Sequence, residues 1–162
     1  MIGLHLNIGN RNWIRNFPIP EYHLAFLAVG LGLHIWLGDA FSFTTGWVST
    51  VAGTLCVLLG LVISFWSTVS FGHDVAAQPT TLHTGGPYGF SRNPMYLGWS
   101  LAILGPGFFV GSWWLLGAAP LAAVVTHYRV VAGEERFLSE RFGDEYESYR
   151  RTVRRWLWPL RR

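Results

Sequence analysis

The sequence predicts an all-α protein: an integral membrane bundle of about four transmembrane helices, followed by a cytoplasmic amphipathic helical tail. Three observations lead there. Hydrophobic residues make up 51% of the 162-residue chain and charged ones 13%, and the apolar residues come in blocks near the length of a bilayer span. The long polar segments all fall at the same end of those blocks. The arginines follow the same alternation, which is how charge sorts loops across a membrane. The length suggests a single domain over residues 1–162.

Residues 1–21 carry Pro18 and Pro20 and read as an interfacial arm, with Trp13 and Phe17 at the headgroup level. The first span runs from about Tyr22 to Leu37, with His23 near its start and His34 near its end. Asp39 interrupts this apolar block and there is no small-residue cleavage site, so a retained span is expected rather than a cleaved signal peptide. Residues 38–46 form a loop. The second span, Trp47–Val69, has 23 residues and no charge, enough to cross ~30 Å at ~1.5 Å per residue. Gly53 and Gly60 lie seven residues apart on roughly one face, which favours close helix packing.

Residues 70–94 are the longest polar insertion and end in a glycine-rich turn. The third span begins near Met95 and runs to about Val110; Gly111-Ser112 is a tight connection. The fourth, Trp113 to about Val131, contains Pro120, where a kink is expected. Spans three and four thus form a helical hairpin. Beyond Ala132 the chain turns charged and amphipathic, and Leu138, Phe142, Tyr146, Tyr149, Val153 and Trp156 recur every three or four residues. Gly143 reads as a helix stop, and Asp144 with Glu147 as a capping box. The tail, 132–162, is expected to be two short helices against the membrane surface.

Arg11 and Arg15 precede span one, Arg92 lies between spans two and three, and Arg129 and all later arginines lie at or after the end of span four. Neither loop 38–46 nor 111–112 has any. Both termini are therefore expected in the cytoplasm, in a multi-pass protein of a bacterial inner membrane. The single cysteine, Cys56, forms no internal disulfide and reads as a small packed residue. There is neither a Rossmann fingerprint nor a P-loop. The C-terminal arginines are expected to meet anionic lipid rather than nucleic acid.

Chemistry would sit in the long cytoplasmic segments. Gly85, Gly86 and Gly89 around Pro87 let the backbone turn tightly and approach a ligand, or make an ordinary loop-to-helix turn. Pro94 suits a first helical turn, which puts Asn93 at the N-cap and leaves backbone N–H groups for an anion. Glu134 and Glu135 lie just past span four and share a broad helix face with His127, Val131 and Leu138. They are either the solvated start of the tail or carboxylates that bind an ammonium or sulfonium, or take a proton. Arg92 suits either a phosphate or a headgroup anchor. His73, Asp74 and His83 match no standard ligand spacing, and no metal is expected. His23 and His34 read as interfacial or hydrogen-bonded residues.

Two motifs occur in order. The first is Gly86-Pro87-Tyr88, then three residues, then Arg92-Asn93-Pro94-Met95-Tyr96-Leu97-Gly98. The second is Glu134-Glu135 followed by Leu138, Phe142-Gly143, Tyr146, Tyr149 and Val153. Together they resemble the isoprenylcysteine carboxyl methyltransferase family and the related phospholipid N-methyltransferases, over roughly residues 70–157. The resemblance implies an S-adenosylmethionine-dependent methyltransferase of membrane helices, yielding S-adenosylhomocysteine. The cofactor would lie on the cytoplasmic side, and a lipophilic small-molecule substrate would enter from the bilayer lipids. Carried over, Tyr88, Asn93, Pro94, Tyr96, Leu97 and Gly98 would line the cofactor pocket. His127 joins them as a cofactor-binding candidate. Glu134 and Glu135 would contact cofactor or reacting centre, and Arg92 would neutralise charge there.

Asn93 stands where the carboxyl methyltransferases typically have His and the phospholipid N-methyltransferases have Asn. That tilts the acceptor toward a phospholipid amine or other small lipophile, with isoprenylcysteine-type O-methylation or thiol S-methylation as alternatives. Competing readings are a membrane reductase using NADPH, which the short chain disfavours, and a non-catalytic lipid-binding scaffold. The oligomeric state is left open.

Overall fold

The computed structural model describes residues 20–71, 74 and 79–157. The N-terminal arm with Trp13 and Phe17, His73, and the end of the tail beyond Leu157 lie outside the described residues. The described residues are helical, with no strand beyond one isolated bridge. Helix α1 is Glu21–Leu37 and α2 is Trp47–Val69. The third apolar segment divides at Ile103 into α3, Pro94–Ala102, and α4, Leu104–Val110. The fourth begins as α5, Trp113–Thr126, and passes through one π-helical turn, His127–Val131, into α6, Ala132–Phe142. Helix α7, Asp144–Thr152, follows Gly143.

Two helices are long and apolar enough to cross a bilayer: α2, with 23 residues, and the continuous 30-residue helix Trp113–Phe142. Glu21–Leu37 and Pro94–Val110 are shorter apolar helices. Much of α2 turns its apolar side chains outward, including Val51, Leu55, Leu58, Val62 and Phe65. A water-soluble protein rarely carries so large an apolar surface, whereas hydrocarbon solvates it at no cost. The chain is a membrane protein.

Lipid offers little hydrophobic drive for helices to pair, so close approach between small residues does that work. Gly53 and Gly60 of α2 face Gly105 and Gly98 of the antiparallel α3–α4 segment, seven residues apart on both sides. A Cβ on Gly60 would lie 2.5 Å from the Gly98 carbonyl, and one on Gly105 would lie 2.8 Å from the Gly53 carbonyl. Helix α1 packs on α5, where Gly30 meets the backbone of Trp114 and Leu115. Ile103, Ala119 and Ala122 form a buried core, flanked by Phe26, Leu27 and Leu104.

The two arginine-free loops meet at one end of the bundle. The Phe43 N–H donates to the Gly111 carbonyl at 2.7 Å, and the Phe41 ring packs 5.2 Å from Trp114. The glycine turn, a 3-10 turn over Gly86–Gly89, lies at the opposite end with the start of α3. One local expectation is revised. Asp144 is the first residue of α7 rather than its N-cap, because Gly143, at φ 51°, takes the cap position. Glu147 instead accepts a hydrogen bond from Ser139 at 3.3 Å and pairs with Arg150 at 2.9 Å.

Candidate active site

Glu135 is the hub of the site. It projects from the first turn of α6, just past the π-turn, and its carboxylate is almost wholly buried. A buried carboxylate needs cations and hydrogen bonds, and Glu135 has two arginines. Arg92 reaches it from the segment before α3, with Nη1 3.2 Å from Oε1. Arg155, from the segment after α7, grips it side-on: Nε donates to Oε1 at 2.9 Å and Nη2 donates to Oε2. This fork geometry suits Arg and not Lys. The hydrogen bond to Glu135 holds the Arg155 guanidinium above its usual range, so it stays charged.

The same C-terminal segment is stitched to the glycine-turn motif through backbone groups. The Arg92 N–H donates to the Arg154 carbonyl at 2.8 Å. The Ser91 hydroxyl and the Asn93 side-chain amide both donate to the Arg155 carbonyl, at 3.1 and 3.3 Å. Asn93 does occupy the N-cap of α3 and Pro94 its first turn, but the Asn93 side chain makes no cap bond; it serves the C-terminal segment instead. His127 joins the cluster from the π-turn. Its Nε2 lies 3.3 Å from Arg155 Nη1, and its Nδ1 faces the Trp156 indole N–H at 3.3 Å.

Glu134 has different company. It accepts a hydrogen bond from the Tyr96 hydroxyl at 2.8 Å, and no cation pairs with it among the described residues. Tyr96 is itself held in place. Its ring lies nearly parallel to that of His23 from α1, 6.5 Å between centroids. Ser100 Oγ donates to the Tyr96 carbonyl at 2.8 Å and bonds His23 Nε2 at 2.9 Å. With the Ser100 proton spent on the carbonyl, His23 donates at Nε2. Tyr88 lies buried behind the motif, and its carbonyl accepts the Tyr149 hydroxyl at 2.7 Å. Burial pushes both phenols up, so Tyr149 remains a donor.

The structure therefore brings Arg92, Asn93, Tyr96, His127, Glu134 and Glu135 together, and Tyr88 and Pro94 are buried in the same motif. Leu97 and Gly98 look elsewhere. Leu97 lines an apolar cleft of about 220 Å³ with Ser100, Leu104 and Pro120. Gly98 is spent on the contact with α2, where a Cβ would strike Ser64. Asp74 and His83 pair at 3.1 Å, and the Asp74 carboxylate also accepts the Thr80 and Thr81 N–H groups. They close a loop rather than join the cluster. Among the described residues no three His, Cys, Asp or Glu side chains group as a metal would need. Arg155 and Trp156 were missed as site residues: a basic tail reads as a lipid contact, and only the fold brings these two back.

Residues 48–145 match the phospholipid methyltransferase family. The chain is 33% identical over 109 residues to cobalt-zinc-cadmium resistance protein CzcN of Cupriavidus metallidurans, covering 65% of this chain and 49% of that protein. It thus spans about half the length of that relative. It is 38% identical over 66 residues to an uncharacterized protein of Haemophilus influenzae, covering 39% of this chain and 100% of that one. With both motifs inside or beside the matched stretch and joined at one end of a helical membrane bundle, the chain belongs to the phospholipid methyltransferase family.

Proposed function

We propose that this protein transfers a methyl group from S-adenosylmethionine to a lipophilic acceptor, a phospholipid amine first among candidates, at the cytoplasmic face of a four-span bundle. The carrying observation is that the two motifs touch twice: Arg92 pairs with Glu135 at 3.2 Å, and Tyr96 donates to Glu134 at 2.8 Å. Residues about forty positions apart in sequence thereby make one polar cluster at the glycine-turn end of the bundle.

The residues present suit the cofactor. Two guanidinium groups on one carboxylate leave an excess positive charge for an anionic group. Arg92 Nε is buried with no partner among the described residues. Glu134, with no paired cation among the described residues, is placed for an ammonium or a sulfonium. The bound cofactor would supply an activated methyl group on a sulfonium.

The chain's own work is to align, to exclude water and to handle one proton. In-line displacement gains most from holding two reactants in register. An amine acceptor must first lose a proton, and Glu134 is the carboxylate available to take it, steadied by Tyr96. Glu135, with both oxygens engaged by arginine, is a fixed charge that holds Arg92, Arg155 and the C-terminal segment in place. The apolar cleft between Leu97 and Pro120 has the chemistry to take the tail of a lipophilic acceptor.

The test is transfer of label from methyl-labelled S-adenosylmethionine to vesicles containing phosphatidylethanolamine. Label in the lipid fraction with wild type, and background with Glu134→Gln, supports the proposal. No lipid labelling under conditions where the protein binds S-adenosylhomocysteine removes the phospholipid amine as acceptor.

A further inference from the structure

We infer that Arg155 and Arg92 together form the subsite for the amino-acid carboxylate of the cofactor, with Arg155 reaching it from outside the family-matched stretch. The assignment rests on the methyltransferase activity proposed above and names which end of the cofactor this corner of the site takes. Arg155 lies ten residues beyond the last matched position, 145, and belongs to neither motif.

Charge comes first. Arg92 and Arg155 share a single carboxylate, Glu135, and the side chains of Arg92 and Glu135 are 9% and 10% exposed. One positive charge is left over in a largely desolvated place, and such a charge calls for an anion. Hydrogen-bonding capacity points the same way. Arg92 Nε has no partner among the described residues, although the side chain is more than nine-tenths buried. Leaving a buried charged donor unmet is costly, so it marks where an acceptor belongs. Arg155 is about one-third exposed, so it gives the subsite its more accessible face, with Arg92 behind it.

Orientation follows from the neighbours. The excess positive charge repels a sulfonium and attracts a carboxylate. Glu134, hydrogen-bonded by Tyr96, does the reverse. A zwitterionic cofactor with a cationic sulfur therefore lies with its carboxylate at the arginines and its reactive end toward Glu134. The bonds from Ser91 and Asn93 to the Arg155 carbonyl fix the backbone from which the guanidinium is presented. A phosphate on a lipid acceptor offers similar oxygen-anion chemistry, and the experiment separates the two.

The experiment is calorimetric titration of the full-length chain in detergent with S-adenosylhomocysteine and with its decarboxylated analogue, which keeps the amine and lacks only the carboxylate. Wild type is expected to bind the parent about 10–100-fold more tightly, the size of one or two charge-assisted hydrogen bonds. Arg155→Gln is expected to erase most of that difference by weakening the parent and leaving the analogue within about threefold. Arg155→Lys, which keeps the charge and loses the fork, should restore part of it. The wild-type comparison needs no variant and holds even if Arg155→Gln fails to fold.

Equal affinity of the two ligands for wild type overturns the subsite and leaves the arginines to an acceptor phosphate or to structure alone. An equal loss for both ligands in a folded Arg155→Gln protein overturns the role of Arg155. If wild type binds neither ligand, the methyltransferase activity itself falls, an outcome distinct from both.

Discussion

Tyr96 donates its hydroxyl proton to Glu134 at 2.8 Å, joining the first turn of α3 to the first turn of α6. Of the two adjacent glutamates, this one has no cation paired with it among the described residues, while its neighbour Glu135 has two. The pair thus divides into a carboxylate with no ion pair among the described residues and a carboxylate held by two arginines. Glu134→Gln should lower transfer to an amine acceptor by about 10²–10⁴-fold, the usual contribution of a general base. The affinity for S-adenosylhomocysteine should change far less. Single-turnover assays beside calorimetry separate the two effects; an equal fall in both would assign Glu134 to binding instead.

Glu135→Gln should act on stability as well as on binding. It leaves two guanidinium groups facing each other without their shared counter-charge. Breaking a fully buried ion pair costs about 3–5 kcal/mol; here Arg155 is one-third exposed, so roughly 2 kcal/mol is the expected loss. Thermal unfolding in detergent should show a lower midpoint for Glu135→Gln than for Glu134→Gln.

Asn93→Ala removes one of the three bonds that tie residues 154–155 to the 91–93 segment. The expected result is a several-fold weaker cofactor affinity, near the worth of one hydrogen bond. Trypsin should also cut faster after Arg154 or Arg155 as the segment loosens. Unchanged cleavage with weakened binding would mean that the amide serves the ligand directly.

His23→Ala probes whether α1 belongs to the site. His23 is buried, bonds Ser100 and lies against Tyr96. Its removal should cost about 1–3 kcal/mol through the lost hydrogen bond to Ser100 and the lost packing, and should lower turnover more than cofactor affinity. Turnover equal to wild type would show that Tyr96 needs no support from α1.

Gly60→Val would place side-chain atoms where the backbones of Gly98 and Ala102 now lie, since even a Cβ there sits 2.5 Å from both. Helix α2 would have to separate from α3. Size-exclusion chromatography in detergent should show little monodisperse protein.

The helices were largely legible because span length and polar content are one-dimensional signals. Helix α2 has the expected bounds, Trp47–Val69. The break at Ile103 and the π-turn at His127–Val131 were not, since neither carries a residue signature: Ile103 is an ordinary apolar residue, and the π-turn depends on the packing around it. In the site, the Arg92–Gly98 and Glu134–Glu135 motifs could be read directly, but their division of labour could not. Two adjacent glutamates are equivalent until their partners are known. Arg155 was hidden because it is one arginine in a basic tail, and its partners Glu135 and His127 lie 20 and 28 residues away. Gly98, a motif residue, proved to face α2, since a glycine in a membrane helix serves close packing as readily as a ligand.

If the two motifs form an S-adenosylmethionine site, the purified wild-type chain binds that cofactor's product directly. Equilibrium binding, with S-adenosylhomocysteine and NADPH titrated in parallel, should give saturable one-to-one binding of S-adenosylhomocysteine, weakened in Asn93→Ala and in Arg155→Gln, and no binding of NADPH. Stabilisation by NADPH with no response to S-adenosylhomocysteine would contradict it.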